Sequence, residues 1–166
     1  FDQIYLKKML AYSLPLIPNY LCWWVVGASD KSVVKWFLGV SQNGILSVSQ
    51  KFSTAYTSFY SIFNLTWTES ASVHREDEDC AEFYSHTIEL AFRVLSCVCM
   101  SIIAVVPLVF PYMIHENFGA SYYQIPIYML SSLLYSVIGI YSVVYVAYKR
   151  TDQIAKTSMI AAILNL

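Results

Sequence analysis

Four apolar runs of near-membrane length in one chain leave few folds open. They cover residues 9–29, 44–69, 94–114 and 125–148; three carry no charge, and the second carries Lys51 within it and Glu69 at its end. At about 1.5 Å per helical residue each can cross a hydrocarbon core about 30 Å thick. A fifth run starts at Ile154 and continues to Leu166. Several such runs are hard to pack in water, and the composition points the same way. Apolar and aromatic residues make up 57% of the chain and charged residues 13%, against about a quarter charged in soluble domains. The expected fold is all-α, a polytopic membrane helix bundle of about five transmembrane helices. The formal net charge of −1 gives no basic field to attract nucleic acid.

The polar connections punctuate these runs. Asp30 and Lys31 close the first, and residues 32–43, with Lys35, Gly39 and Asn43, read as the outer end of that helix and a turn. Residues 70–82, SASVHREDEDCAE, read as a solvated cytoplasmic loop leading into a helix start. Residues 115–124 read as a polar connection, and Lys149, Arg150 and Asp152 as a short loop. Glu89 and Arg93 are four residues apart, the spacing of a helical ion pair at the membrane edge. The chain opens on Phe1 without an initiator methionine and stops inside an apolar run, so it reads as a piece of a longer protein.

Pro15 and Pro18 lie inside the first run. Each removes a backbone donor and kinks the helix. The bend either shapes a cavity or is an ordinary feature of a membrane helix. The four cysteines, Cys22, Cys80, Cys97 and Cys99, show no paired spacing and read as small hydrophobes. No metal site is expected: His74 has no spaced partner, and Cys97 and Cys99 point to different faces of a helix. No cofactor is expected either, since no phosphate-binding loop pattern occurs. His74, His86 and His115 are scattered, so no nucleophile and base come together as in an enzyme.

The second run is the informative one. At about 100° per residue Gln50, Ser53, Thr57, Ser61, Asn64 and Thr68 fall within roughly a quarter turn, with Ile45, Val48, Phe52, Tyr56, Phe59 and Phe63 on the far side. Such a helix suits a place between lipid and a polar cavity. Lys51, beside Ser47, Thr54 and Ser58 at the edge of the polar arc, is costly at membrane depth unless it faces water, pairs or snorkels. Alternating loops set the orientation. Lys7, Lys8, Arg75, Lys149, Arg150 and Lys156 fall on one side and Lys31 and Lys35 on the other, so the first group is cytoplasmic by the positive-inside rule.

The segment from Leu6 to Ser70 carries an ordered set: SLPLIPN, Asp30 near the outer end of its helix, FLG and then NGI, Lys51, and SIFN followed by Trp67, Glu69 and Ser70. In these residues the chain resembles the polysaccharide biosynthesis flippases, exporters of O-antigen and capsule repeat units in the superfamily that also holds the MATE drug transporters. The resemblance implies part of the second lobe of a MATE-like transporter, in a bacterial cytoplasmic (inner) membrane. The implied partners are a lipid-linked oligosaccharide, membrane lipid, the first lobe of the same transporter and a polysaccharide polymerase. The implied activity is transfer of an undecaprenyl-diphosphate-linked oligosaccharide to the outer leaflet by alternating access. Asp30, Lys51, Asn64, Trp67 and Glu69 match the family pattern.

Lys51 would then meet the diphosphate, and Ser53, Thr57, Ser61 and Asn64 the sugars. Asp30, Lys31, Glu69, Pro15 and Pro18 would serve gating or coupling. Lys31 stands where the family often has arginine, and Leu65 and Thr68 where glutamines are common. Two other readings are a cation-coupled MATE drug antiporter, which would want carboxylates near the membrane centre, and a non-transporting scaffold of a polysaccharide assembly complex.

Overall fold

The structure, a computed structural model, describes residues 10, 13–14 and 16–165. Pro15 lies outside the described residues, as do the side chains of Pro18 and Asp30. The described residues are all-helical. Helix α1 spans Leu16–Val73 and is broken at Gly39 into an arm over 16–38 and an arm over 40–73. Helix α2 spans Cys80–Met113, α3 Ile125–Ala147 and α4 Thr151–Asn165. Short 3-10 helices, His74–Glu76 and Glu116–Gln124, make the connections.

The helices alternate in direction. Ser49 bonds to Gln124, Tyr56 to Ser136, Trp67 to Ile140 and Arg75 to Ala147, so the second arm of α1 and α3 run parallel. Helix α2 runs antiparallel to both and packs mainly on α3: Cys99 meets Met129, and Phe110 packs edge-on to Tyr122. Helix α4 leads away from the end shared by Arg75 and Ala147 and packs on α1 and, less, on α3.

Two segments among the described residues are long and apolar enough to cross a membrane, Cys80–Met113 and Glu116–Ala147. They contain the predicted third and fourth runs except the last residue of each, Ile114 and Tyr148. Their apolar side chains stay largely on the outside, as Leu108, Ile127 and Ile138 do. Small residues sit where the helices meet. Ser49, Ser53 and Ala71 of α1, Ala91 and Cys99 of α2, and Ser136 and Ala147 of α3 are all buried, letting backbones approach where no hydrophobic effect would drive association.

Local chemistry explains the helix ends. Pro126 stands at the first turn of α3, where its missing N–H costs nothing. The other end of α3 closes as a Schellman motif: the Arg150 N–H donates to the Tyr145 carbonyl (2.8 Å) and the Lys149 N–H to the Val146 carbonyl (2.9 Å). Lys149 occupies the left-handed position, with φ 57°, that glycine usually takes. Within α2 the helix runs through Pro107 and Pro111.

Two connections differ from the sequence expectation. Residues 32–43 do not form a turn; the helix continues through them except at Gly39, whose φ 87° and ψ 173° are accessible essentially to glycine alone. The loop expected over 70–82 shrinks to residues 77–79, because α1 runs on to Val73, a 3-10 turn follows, and α2 starts at Cys80. Aromatic packing accounts for the difference. His74 stacks on Phe83 at 4.4 Å, Trp67 meets Tyr84 edge-on, and the Tyr84 hydroxyl donates to the Ala71 carbonyl at 2.5 Å. The segment is polar in composition, yet its aromatic flanks fold it down.

Candidate functional site

The second arm of α1 touches the other helices with one face and leaves another open. Its packed stripe is Ile45, Ser49, Ser53, Tyr56, Tyr60, Trp67 and Ala71, all buried. Ser49, Tyr56 and Trp67 of this stripe bond to groups outside the helix, and Ser53 and Tyr60 to groups within it. Ser136 spends its own proton on the carbonyls of Leu133 or Ser132, so the Tyr56 hydroxyl donates to Ser136 Oγ, 2.8 Å away. Trp67 Nε1 donates to the Ile140 carbonyl at 3.1 Å. The Tyr60 hydroxyl donates to Asn64 Oδ1 at 2.9 Å and lies against Gly139, where an added Cβ would stand 2.0 Å from it.

The open face is a second stripe at alternating spacings of four and three: Ser47, Lys51, Thr54, Ser58, Ser61, Leu65, Thr68 and Ser72. Lys51, Thr54, Ser58, Ser61, Leu65 and Ser72 are exposed, and Ser47 and Thr68 half-buried. Each hydroxyl is bonded to a backbone carbonyl three or four residues earlier, Ser47 to Asn43, Thr54 to Gln50, Ser58 to Thr54, Ser61 to Ser58, Thr68 to Asn64 and Ser72 to Thr68, at 2.7–2.9 Å. A hydroxyl has one proton and two lone pairs. With its proton turned inward, each presents acceptor oxygen outward, and Lys51 is the cationic donor among them. No carboxylate among the described residues forms an ion pair with Lys51.

The predicted polar arc therefore straddles the two stripes, with Ser53 in the packed one and Ser61 and Thr68 in the open one. Ser53 is buried and donates to the Gln50 carbonyl, Thr57 is half-buried, and Asn64 is half-buried with its carbonyl oxygen taken by Tyr60. Of the predicted sugar-facing residues Ser61 alone is exposed. Tyr56, expected on an apolar far face, is fully buried and bonded through its hydroxyl. The open face is centred on Lys51, Thr54 and Ser58, at the edge of the predicted arc. Helical periodicity says which residues share a face; it is silent on which face a neighbour covers.

The remaining candidates are spread along α1. Glu69 is exposed eighteen positions beyond Lys51, about 27 Å along the axis. Lys31 is exposed on the first arm, across the break at Gly39. Among the described residues no group of three or more histidine, cysteine or carboxylate side chains could hold a metal ion. Glu89 and Arg93 form the expected ion pair at 2.5 Å. At the end of the bundle where α3 closes, Arg75 donates to the Ala147 carbonyl and also pairs with Glu76. The Tyr148 hydroxyl beside it meets the Cys80 thiol at 3.6 Å.

No family model, curated protein or solved structure matches the chain. Function must be argued from the open stripe and from the chemistry it can perform. An apolar bundle carrying one face of acceptor oxygens and a lysine can hold a polar, anionic group loosely beside lipid. Because the hydroxyl protons are already engaged, a ligand's donors can bond to the outward lone pairs without breaking those bonds.

Proposed function

We propose that this chain is part of the second lobe of a membrane transporter that flips an undecaprenyl-diphosphate-linked oligosaccharide repeat unit across the bacterial cytoplasmic membrane for polysaccharide biosynthesis. The observation that carries the reading is the open stripe of Lys51, Thr54, Ser58 and Ser61 on an otherwise apolar bundle. The motif resemblance from Leu6 to Ser70 supports it independently. In this reading five helices cross the membrane. The second arm of α1 is too polar to do so facing lipid alone, and it crosses with its open stripe turned to a wet cavity.

The diphosphate headgroup cannot enter hydrocarbon unaided. Lys51 supplies a compact charge with three donors for the phosphate oxygens. Thr54, Ser58 and Ser61 offer acceptors to sugar hydroxyls, and Asn64 and Thr57 border them. Weak, repeated contacts suit a carrier that must release what it holds. Asp30, Lys31, Glu69, Pro15 and Pro18 remain the positions for gating or coupling. In the cell the partners are the first lobe, the lipid-linked substrate and a polysaccharide polymerase.

The test is Lys51→Ala in the full-length protein, with outer-leaflet polysaccharide as the readout and protein level as the control. Losing a charged hydrogen-bond partner is worth about 1.5–3 kcal/mol, so export should fall roughly ten- to a hundredfold, and Lys51→Arg should restore part of it. Unchanged export at normal protein level removes Lys51 from the mechanism.

A further inference from the structure

We propose that Tyr60 sets the Asn64 side chain as a hydrogen-bond donor for an acetamido sugar, an inference that rests on the transport reading and names a substrate class for it. The Tyr60 hydroxyl donates to Asn64 Oδ1 at 2.9 Å, four residues along the same helix. Tyr60 is 5% exposed, and an amide turned the other way would leave its hydroxyl proton without an acceptor among the described residues. Burial of the phenol thus fixes the amide. Tyr60 is itself pinned: its ring stands edge-on to Tyr135 with centroids 6.2 Å apart, and its hydroxyl fills the space that the missing side chain of Gly139 leaves. With Oδ1 taken, Asn64 Nδ2 keeps N–H groups that nothing among the described residues engages, and the atom is not enclosed. Asn64 borders Ser61 and Thr68 of the open stripe, three residues before it and four after.

These neighbours bind different partners. Ser61 and Thr68 have spent their protons on backbone carbonyls at 2.7 Å and offer lone pairs. A sugar hydroxyl can donate to either and has no need of Asn64. The carbonyl of an acetamido group only accepts, so against serines and threonines whose protons are engaged it would go unpaired. Asn64 is the donor it needs. A carboxylate sugar fits less well, because the charged residue nearest along the arm is the anion Glu69. Lys51 lies thirteen positions back, about 20 Å along the axis. The acetamido sugar and the diphosphate therefore meet the face at separate points.

The experiment compares two disaccharides, diacetylchitobiose and cellobiose, as ligands of the full-length protein in detergent. They differ in carrying acetamido groups or hydroxyls at C2, and the readout is the dissociation constant of each. Wild type should bind diacetylchitobiose about three- to tenfold more tightly, the worth of one neutral hydrogen bond. Asn64→Asp keeps an oxygen for Tyr60 but has no N–H, and it should bring the ratio to about one. Tyr60→Phe keeps the ring and frees the amide, and it should lower the ratio with Asn64 still present. Lys51→Ala should leave the ratio unchanged. A wild type that binds the two equally, or binds neither, overturns the acetamido site, while loss of export in Lys51→Ala would still support the transport reading. A preference that survives Asn64→Asp overturns Asn64 as the donor, and one that survives Tyr60→Phe overturns Tyr60 as the residue that positions it. If Asn64→Asp fails to fold, Tyr60→Phe decides.

Discussion

Tyr56 and Ser58 stand two residues apart on the same arm of α1, and both carry a hydroxyl. The Tyr56 hydroxyl reaches across to Ser136 on α3, whereas the Ser58 hydroxyl turns back to its own backbone at Thr54. The first is fully buried and the second exposed. Their contrast separates the two faces of the arm. On the packed face Ser49, Tyr56 and Trp67 tie the arm to neighbouring segments through polar bonds. On the open face the hydroxyl protons are satisfied within the helix and the acceptor lone pairs stay available to a ligand. If this division is right, substitutions on the two faces should differ in kind: the packed face governs stability, and the open face governs transport.

The largest effect is expected at Trp67, which is 2% exposed, meets Phe83 and Tyr84, and bonds to the Ile140 carbonyl. Trp67→Ala leaves a cavity between three helices and should cost about 3–5 kcal/mol, read as a lowered melting temperature of the full-length protein in detergent. An unchanged melting temperature would break the comparison, because Trp67 is the anchor of the packed face.

Gly139 comes next. Its absent side chain makes room for the Tyr60 ring, and an added Cβ would stand 2.0 Å from the hydroxyl and 2.9 Å from Cζ. Gly139→Ala should destabilise by about 1–3 kcal/mol through overpacking. Shortening the tyrosine at the same time should recover part of that loss. The Tyr60→Leu, Gly139→Ala pair is thus expected to be less destabilised than the sum of the two single changes. Simple additivity would mean that the ring and the glycine do not share one space.

Much of the helical frame was legible in the sequence. Apolar run lengths locate α3 and the second half of α2, and the 149–150 pair marks a stop. The phase of the polar face was only partly legible. Ser53 and Asn64 share a quarter turn with Ser61, yet Ser53 is buried and Asn64 is held by Tyr60. Deciding that requires knowing that α3 presents Ser136 and Gly139 to Tyr56 and Tyr60, a pairing between residues about 80 positions apart that a 100° wheel does not contain. Likewise Gly39 was visible as a glycine in a stretch that reads as a helix end and a turn. That it alone breaks the helix follows from the flanking residues continuing helical on both sides. The shortened 70–82 loop has the same origin, because its ends are drawn together by aromatic contacts whose partners are distant on the wheel.

The smallest stability effect, and the sharpest test of the division, lies on the open stripe. Thr54, Ser58 and Ser61 each bond only to a carbonyl of their own helix, and that carbonyl also accepts a backbone N–H in a regular helix. Replacing all three by alanine removes no contact between helices and swaps in better helix formers. Each change should therefore shift stability by less than about 0.5 kcal/mol. If the stripe meets sugar hydroxyls, the same triple variant loses acceptors along about two turns of the cavity wall, and polysaccharide export should fall while the melting temperature holds. Export and stability falling together would place these hydroxyls among the packing contacts. A fall in neither would leave Lys51 as the only functional group on the face and reduce the stripe to the ordinary way a serine or threonine sits in a membrane helix.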